Sequence, residues 1–91
     1  IIEAIKETAN VKKHGVSFVE ARTAFYDEGA IQFFDPDHSE QEDRFILLGL
    51  SLKPQVLVVC HCFRESETIV RIISARKADK DEEQVYWERR R

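Results

Sequence analysis

The sequence predicts an α+β fold, with two N-terminal helices packed on a mainly antiparallel sheet of about four strands and a C-terminal helix to finish. Three observations carry this reading. Apolar residues recur at helical spacing up to about residue 26, β-branched and aromatic runs separated by polar turns fill residues 30 to 75, and a charged, helix-compatible segment follows Asp79. A chain of 91 residues supports a single modest core, so residues 1–91 are expected to form one domain.

The first helix is expected over residues 3–13, EAIKETANVKK, where Ile5, Ala9 and Lys12 or Lys13 fall near helical spacing and neither Gly nor Pro intervenes. It should end at His14-Gly15, with Gly15 as a left-handed cap. Ser17 and Glu20 have the spacing of a capping box, and Phe18, Ala21, Ala24 and Phe25 make an apolar stripe, so a second helix is expected over 17–26. The bulky segment AIQFF then reads as a short strand that stops at the turn Asp35-Pro36-Asp37. Strands RFILLGLS (44–51), QVLVVCHCF (55–63) and TIVRIISA (68–75) are joined by Leu52-Lys53-Pro54 and by Arg64-Glu65-Ser66-Glu67, connections too short for parallel crossovers. Asp79 is the expected N-cap of the last helix, with Glu82 three residues on and the bases Arg89 to Arg91 at its end, where the helix dipole favours them. Val85 and Trp87 sit amid charge there, the pattern of a helix that packs weakly or against a partner.

Composition narrows the function classes. With 43% hydrophobic and 34% charged residues and no apolar run near the roughly 20 residues of a membrane span, no membrane association is expected. Glu3, Lys6 and Glu7 interrupt any apolar leader, which makes the cytoplasm the expected compartment. The net charge of -3 argues against indiscriminate nucleic-acid binding. The basic residues are unevenly spread, however: Arg71, Arg76, Lys77 and the terminal arginines fall late, and Asp35, Asp37, Glu40, Glu42 and Asp43 form an acidic connection in the middle.

Cys60-His61-Cys62 invites a metal reading, but strand alternation sends His61 to one face and both cysteines to the other. The cysteines alternate in phase with Val56 and Val58 and read as reduced core thiols. His61 is either a buried, hydrogen-bonded side chain or a proton-transfer group, since imidazole titrates near neutrality. A simple register brings it near Arg44 and Ile46 on one neighbouring strand and near Val70 on the other, which would pair a His with an Arg at one end of the sheet. Arg71 interrupts an apolar strand and Arg76 lies where that strand leaves the sheet. Both could hold a phosphate through the planar guanidinium fork, or pair with acids such as Glu82 or Asp43. Lys12-Lys13-His14 reads equally as a solvated helix end and as a basic cluster.

Four segments in order, N-V-K-K-H-G-V-S-F from Asn10, F-x-D-P-D-H-S-E-x-E-D-R from Phe33 to Arg44, L-V-V-x-H ending at His61, and R-I-I-S-A-R-K-A from Arg71, resemble the BrnT family of bacterial toxins over about 80 of the 91 positions. The resemblance implies a RelE-like fold and a metal-independent endoribonuclease that inhibits translation, the toxin of a type II toxin–antitoxin pair. Its implied partners are RNA and a BrnA-type ribbon-helix-helix antitoxin, through which alone operator DNA would be bound; oligomerisation is left open. The family's recurrent polar positions fall on Lys6, Lys13, His14, Asp35, His38, Glu42, Arg44, His61, Arg71, Ser74, Arg76, Glu82 and Tyr86. Two departures stand out. Ile1-Ile2-Glu3 replaces the family's opening strand with its aromatic and Asp, so no such strand is counted here, and the usually Arg-rich last helix reads DKDEEQV, which lowers the expected RNA affinity.

The expected chemistry is attack of a 2′-hydroxyl on the adjacent phosphate, leaving a cyclic phosphate and a 5′-hydroxyl, with no cofactor and no metal ligand. His61 or His14 would transfer the proton, and Arg44, Arg76 and Arg71 would stabilise phosphate charge with help from Lys13. Lys13, Arg71, Ser74 and Tyr86 are the expected RNA-binding positions, although Tyr86 and Trp87 could instead be packing or antitoxin contacts. The alternative is a non-catalytic protein-interaction module or an inactivated homologue of the toxin.

Overall fold

The computed structural model describes residues 2–4, 7–66 and 68–90. Ile5 and Lys6 of the expected first helix, Glu67 of the last hairpin and Arg91 of the tail lie outside the described residues. In chain order the elements are β1 (Ile2–Ala4), α1 (Glu7–His14), α2 (Phe18–Ala24), β2 (Ile31–Asp35), a 3₁₀ turn at Pro36–His38, β3 (Arg44–Leu50), β4 (Val56–Arg64), β5 (Ile69–Lys77) and α3 (Lys80–Arg90). The expected α+β order is present, with β2 to β5 forming an antiparallel meander. One element differs: residues 2–4 do not open the first helix but form β1, which pairs in parallel with β5 at Val70, Arg71 and Ile72 and completes a sheet of order β1-β5-β4-β3-β2. The outer edge of β5 would otherwise leave a row of peptide groups unpaired, a demand that helical spacing in the N-terminal sequence does not reveal.

α1 and α2 cover one face of this sheet. α1 ends as its sequence predicts, with Gly15 at φ +71° and its amide bonded to the Val11 carbonyl at 2.8 Å. Ser17 caps α2 by accepting the Glu20 amide at 3.0 Å. Phe18, Ala21 and Ala24 of the predicted stripe are buried against Leu47, Leu57, Val59, Ile72 and Ala75. α2 lies so close to β3 that a Cβ on Gly49 would sit 2.9 Å from the Ala24 carbonyl oxygen.

The inward residue of α1 is not Ala9, which is exposed, but Asn10. Its side-chain amide donates to the carbonyls of Ala75 and Val16, both at 2.8 Å, and its carbonyl accepts the Ala75 amide at 3.0 Å. A side chain thus takes over from β1, whose register ends at Ile72, and satisfies the β5 edge beyond it. Glu20 is likewise buried. It does not reach back to complete a capping box but accepts Ser51 Oγ at 2.7 Å and Gln55 Nε2 at 2.5 Å, pinning the β3–β4 connection to α2.

α3 lies on the opposite face. Its start carries the complete capping box: Asp79 accepts the Glu82 amide at 2.8 Å and Glu82 accepts the Asp79 amide at 2.9 Å. Tyr86 is buried with Leu48, Val56 and Val58, while Val85 and Trp87 remain partly exposed. The Tyr86 hydroxyl donates to Asp27 at 2.5 Å, and the same carboxylate accepts Arg90 at 2.8 Å and the amides of Leu50 and Gly29 at 2.8 and 2.9 Å. No described helix is long and apolar enough to cross a membrane.

Two substitutions test these assignments. Asn10→Ala leaves the peptide of Ala75 and the carbonyl of Val16 without their partner and should cost about 3 kcal/mol in urea denaturation; an unchanged midpoint would show that the contact is dispensable. Glu65 and Ser66 occupy the left-handed region at φ 49° and 56° in the β4–β5 turn. Ser66→Gly should therefore raise stability by about 0.5 to 1 kcal/mol in the same assay, and a loss of stability would contradict that strain.

Candidate active site

The face bearing α3 is only half covered. Register across β2 to β5 sets up rows of side chains on it. Phe33, Ile46, Cys60 and Ser74 form one row, and Asp35, Arg44, Cys62 and Arg71 form the next. α3 packs over the end of the face that holds Leu48, Val56 and Val58. The remainder opens into a cleft of about 230 Å³, where Arg44, Ser74 and Arg76 meet Asp35 and His38 around a floor that includes Ile46 and Cys60.

The 3₁₀ turn brings His38 back over the end of β2, and its Nδ1 lies 2.9 Å from Asp35 Oδ2. Asp35 is buried and the His38 side chain is 67% exposed, so one ring nitrogen is engaged by the carboxylate while the other faces solvent. Ser39 locks the return of the chain: its hydroxyl donates to the Asp35 carbonyl at 2.5 Å and accepts the Arg44 amide at 2.9 Å. Asp35 and Arg44 are direct partners in the β2–β3 ladder. The Nε of Arg44 is buried without a hydrogen-bond partner, and among the described residues Arg44 forms no salt bridge. A cation left in this state at the wall of a cleft can take an anion.

Arg76 is differently placed. Its guanidinium grips both carboxylate oxygens of Glu82 at 2.7 and 2.8 Å. Glu82 raises the Arg76 pKa, and Arg76 in turn is the main reason the Glu82 carboxyl titrates below its ordinary value. The ion pair foreseen as one alternative for this arginine is present, yet its side chain keeps 43% exposure beside the cleft. Cys60 and Cys62 share this face, as alternation required, with no disulfide; burial pushes both thiols above their ordinary pKa, which disfavours the nucleophilic thiolate.

The other anticipated site residues do not join the cleft. His61 pairs with Phe45 and Ile72, so its neighbours Arg44 and Ile46 point to the far side of the sheet. The anticipated His61–Arg44 pairing is corrected by pleat parity, which separates adjacent ladder positions onto opposite faces. His61 is fully buried, with Nδ1 3.1 Å from the Val59 carbonyl, Nε2 2.9 Å from Gln32 Oε1, and the rings of Phe25, Phe45 and Phe63 around it. Burial depresses its pKa despite the Val59 bond, which keeps the ring neutral at pH 7. Lys13 and His14 sit at the end of α1 and do not line the cleft. Tyr86 is 0% exposed beneath α3, so the expectation of an RNA-facing phenol gives way to packing. His38, one of the family's recurrent polar positions, carries no role from residue type alone; Asp35-x-x-His38 across a Pro-started turn is the sequence signal for the contact seen here.

The His61 assignment has a pH signature. A folded pKa below 6.5 means the unfolded chain binds more protons once pH falls through about 6.5, so stability should fall as pH drops below about 7 and level off below the folded pKa. Urea midpoints over that range should fall less in His61→Gln than in the wild type, and equal slopes would refute the burial argument. Burial alone would raise the Asp27 carboxyl, but Tyr86, the Leu50 and Gly29 amides and Arg90 hold it at about 2. Its contribution, on the order of 2 kcal/mol, should therefore be lost only in a separate window, as pH falls from near 4 toward 2.

The chain was compared with known proteins. No curated protein matches it. The family model described as "Ribonuclease toxin, BrnT, of type II toxin-antitoxin system" matches residues 3–82, a span that includes most of β1, the 3₁₀ turn, every residue of the cleft and the start of α3. With most of its length and the whole of its open sheet face within that match, this chain belongs to the BrnT family of type II toxin–antitoxin ribonuclease toxins.

Proposed function

We propose that this chain is a metal-independent endoribonuclease that acts in the cytoplasm as one domain, cuts RNA to inhibit translation, and is neutralised by a BrnA-type ribbon-helix-helix antitoxin that alone contacts operator DNA. The observation that supports this most directly is the cleft in which Arg44, unpaired by any described carboxylate, faces the His38–Asp35 pair. A substrate phosphate bound by Arg44 brings its neighbouring 2′-hydroxyl to the free ring nitrogen of His38. That nitrogen takes the hydroxyl proton while Asp35 fixes the ring and stabilises the imidazolium. The 2′-oxygen then attacks phosphorus, and the 5′-oxygen departs with a proton from water, leaving a 2′,3′-cyclic phosphate and a 5′-hydroxyl. His38 returns its proton to solvent.

Charge added to the phosphate in the transition state is met by Arg44 and by the N–H groups of Arg76 that Glu82 does not occupy. Ser74 donates from the floor, and Arg71, in the same ladder row as Arg44, extends the binding surface to a flanking phosphate. In this scheme His61 and Tyr86 hold the fold, and Lys13 and His14 carry no step.

Purified protein incubated with RNA in EDTA should generate cyclic-phosphate ends. His38→Ala and Arg44→Ala should each slow cleavage by about 10²- to 10⁴-fold, whereas His61→Gln, assayed where it is folded, should stay within about tenfold of the wild type by lacking any share in that proton transfer. Full activity in His38→Ala would overturn the proton-transfer assignment. Loss of cleavage on chelation would indicate a metal nuclease, and no cleavage under any condition would favour a non-catalytic interaction module.

A further inference from the structure

The cleft has an apolar continuation. Toward α3, a second depression of about 240 Å³ is lined by Phe33, Ile46, Leu48, Val58, Val85 and Glu82, and it shares Ile46 and Val58 with the arginine-bearing cleft. Phe33 lies on edge strand β2 with 38% of its surface exposed, and Val85 of α3 stands opposite with 40% exposed. A slot of this size is below the range of most small-molecule pockets and suits one planar ring system. Its occupant must be apolar on its faces and joined at one side to an anion, because the slot opens into the space beside Arg44.

Resting on the ribonuclease reading above, we propose that this slot is a nucleobase subsite, in which Phe33 stacks one unpaired base next to the phosphate held at Arg44. Glu82 is the polar residue of the lining and gives the slot a preference. Its Oε1 accepts both Arg76 and the Asp79 amide, while Oε2 accepts Arg76 alone and retains an acceptor position. A carboxylate only accepts, so it favours adenine, cytosine and guanine, whose amino group projects from the ring edge, over uracil, whose one free donor, N3–H, lies between two carbonyl oxygens that a carboxylate repels. The pairing with Arg76 keeps Glu82 ionised and aimed at the slot.

Binding can be read without turnover by using 2′-O-methyl dinucleotides of A, C, G and U, in which the attacking hydroxyl is blocked, with inorganic phosphate as the baseless control. Backbone NMR shifts should appear at Phe33, Ile46, Leu48 and Val85 with the amino-bearing dinucleotides and be absent from those positions with phosphate alone. Phe33→Ala should weaken dinucleotide binding roughly 5- to 100-fold, the range of base–aromatic stacking, while Phe33→Tyr should retain it. Val85→Phe, a change at a partly exposed helix position, should fill the slot and block dinucleotides without affecting phosphate. Dinucleotides that leave the slot unperturbed, as they would if it received an apolar side chain of a protein partner, overturn the proposal. Undiminished affinity in Phe33→Ala does the same, and equal affinity for the uridine dinucleotide overturns the share assigned to Glu82. A protein that binds dinucleotides in the slot but cuts no RNA refutes the ribonuclease reading alone. One that cuts RNA with unchanged site preference after Phe33→Ala refutes the subsite alone.

Discussion

The carboxylate of Asp27 is the contact on which the placement of α3 depends. It accepts hydrogen bonds from the end of β3, from its own turn, and from Tyr86 and Arg90 of α3, so one side chain joins three separate parts of the chain. Four donors around a nearly buried anion repay its desolvation, which is why its pKa falls when burial alone would raise it. Tyr86, tethered there by its hydroxyl, is the residue α3 buries against the sheet. Where Tyr86 goes, the first turn of α3 follows, and with it Glu82 and Val85 reach the edge of the cleft.

The same device recurs on the other face. Asn10 fastens α1 to β5, and Glu20 fastens α2 to the β3–β4 connection. A chain of 91 residues has little apolar surface to spend on aligning short helices. Buried polar groups with all their partners in place supply orientation that a small core does not, because each is costly to leave unsatisfied and tolerates only one arrangement. α1 illustrates it: Val11 and Ala9 remain exposed and Asn10 is the residue turned inward.

This arrangement divides the sheet between a closed face and a half-open one. The helix-covered face holds His61 in an aromatic enclosure, neutral and out of reach of solvent. The face that α3 leaves half open holds Arg44, Ser74 and Arg76, with the His38–Asp35 pair at its margin. His61 lies enclosed among apolar strand residues, whereas His38 sits exposed in an acidic turn and is paired with Asp35. Residue type does not distinguish the two, and exposure does.

What the sequence determined by itself was local. Turn chemistry at Gly15 and Asp35-Pro36, the caps at Ser17 and Asp79, and the parity that sets Cys60 and Cys62 against His61 all follow from backbone sterics and a two-residue repeat. Membership of the BrnT family was legible too, because its spaced motifs run through most of the chain. Tertiary structure decided which face stays open, that residues 2–4 pair with β5 rather than begin a helix, that Arg76 is shared with Glu82, and that Asp35, His38 and Arg44 converge. Pleat parity depends only on neighbouring peptides, whereas burial depends on which distant segment arrives to cover a surface, and here that was settled by the anchoring of α3 at Asp27.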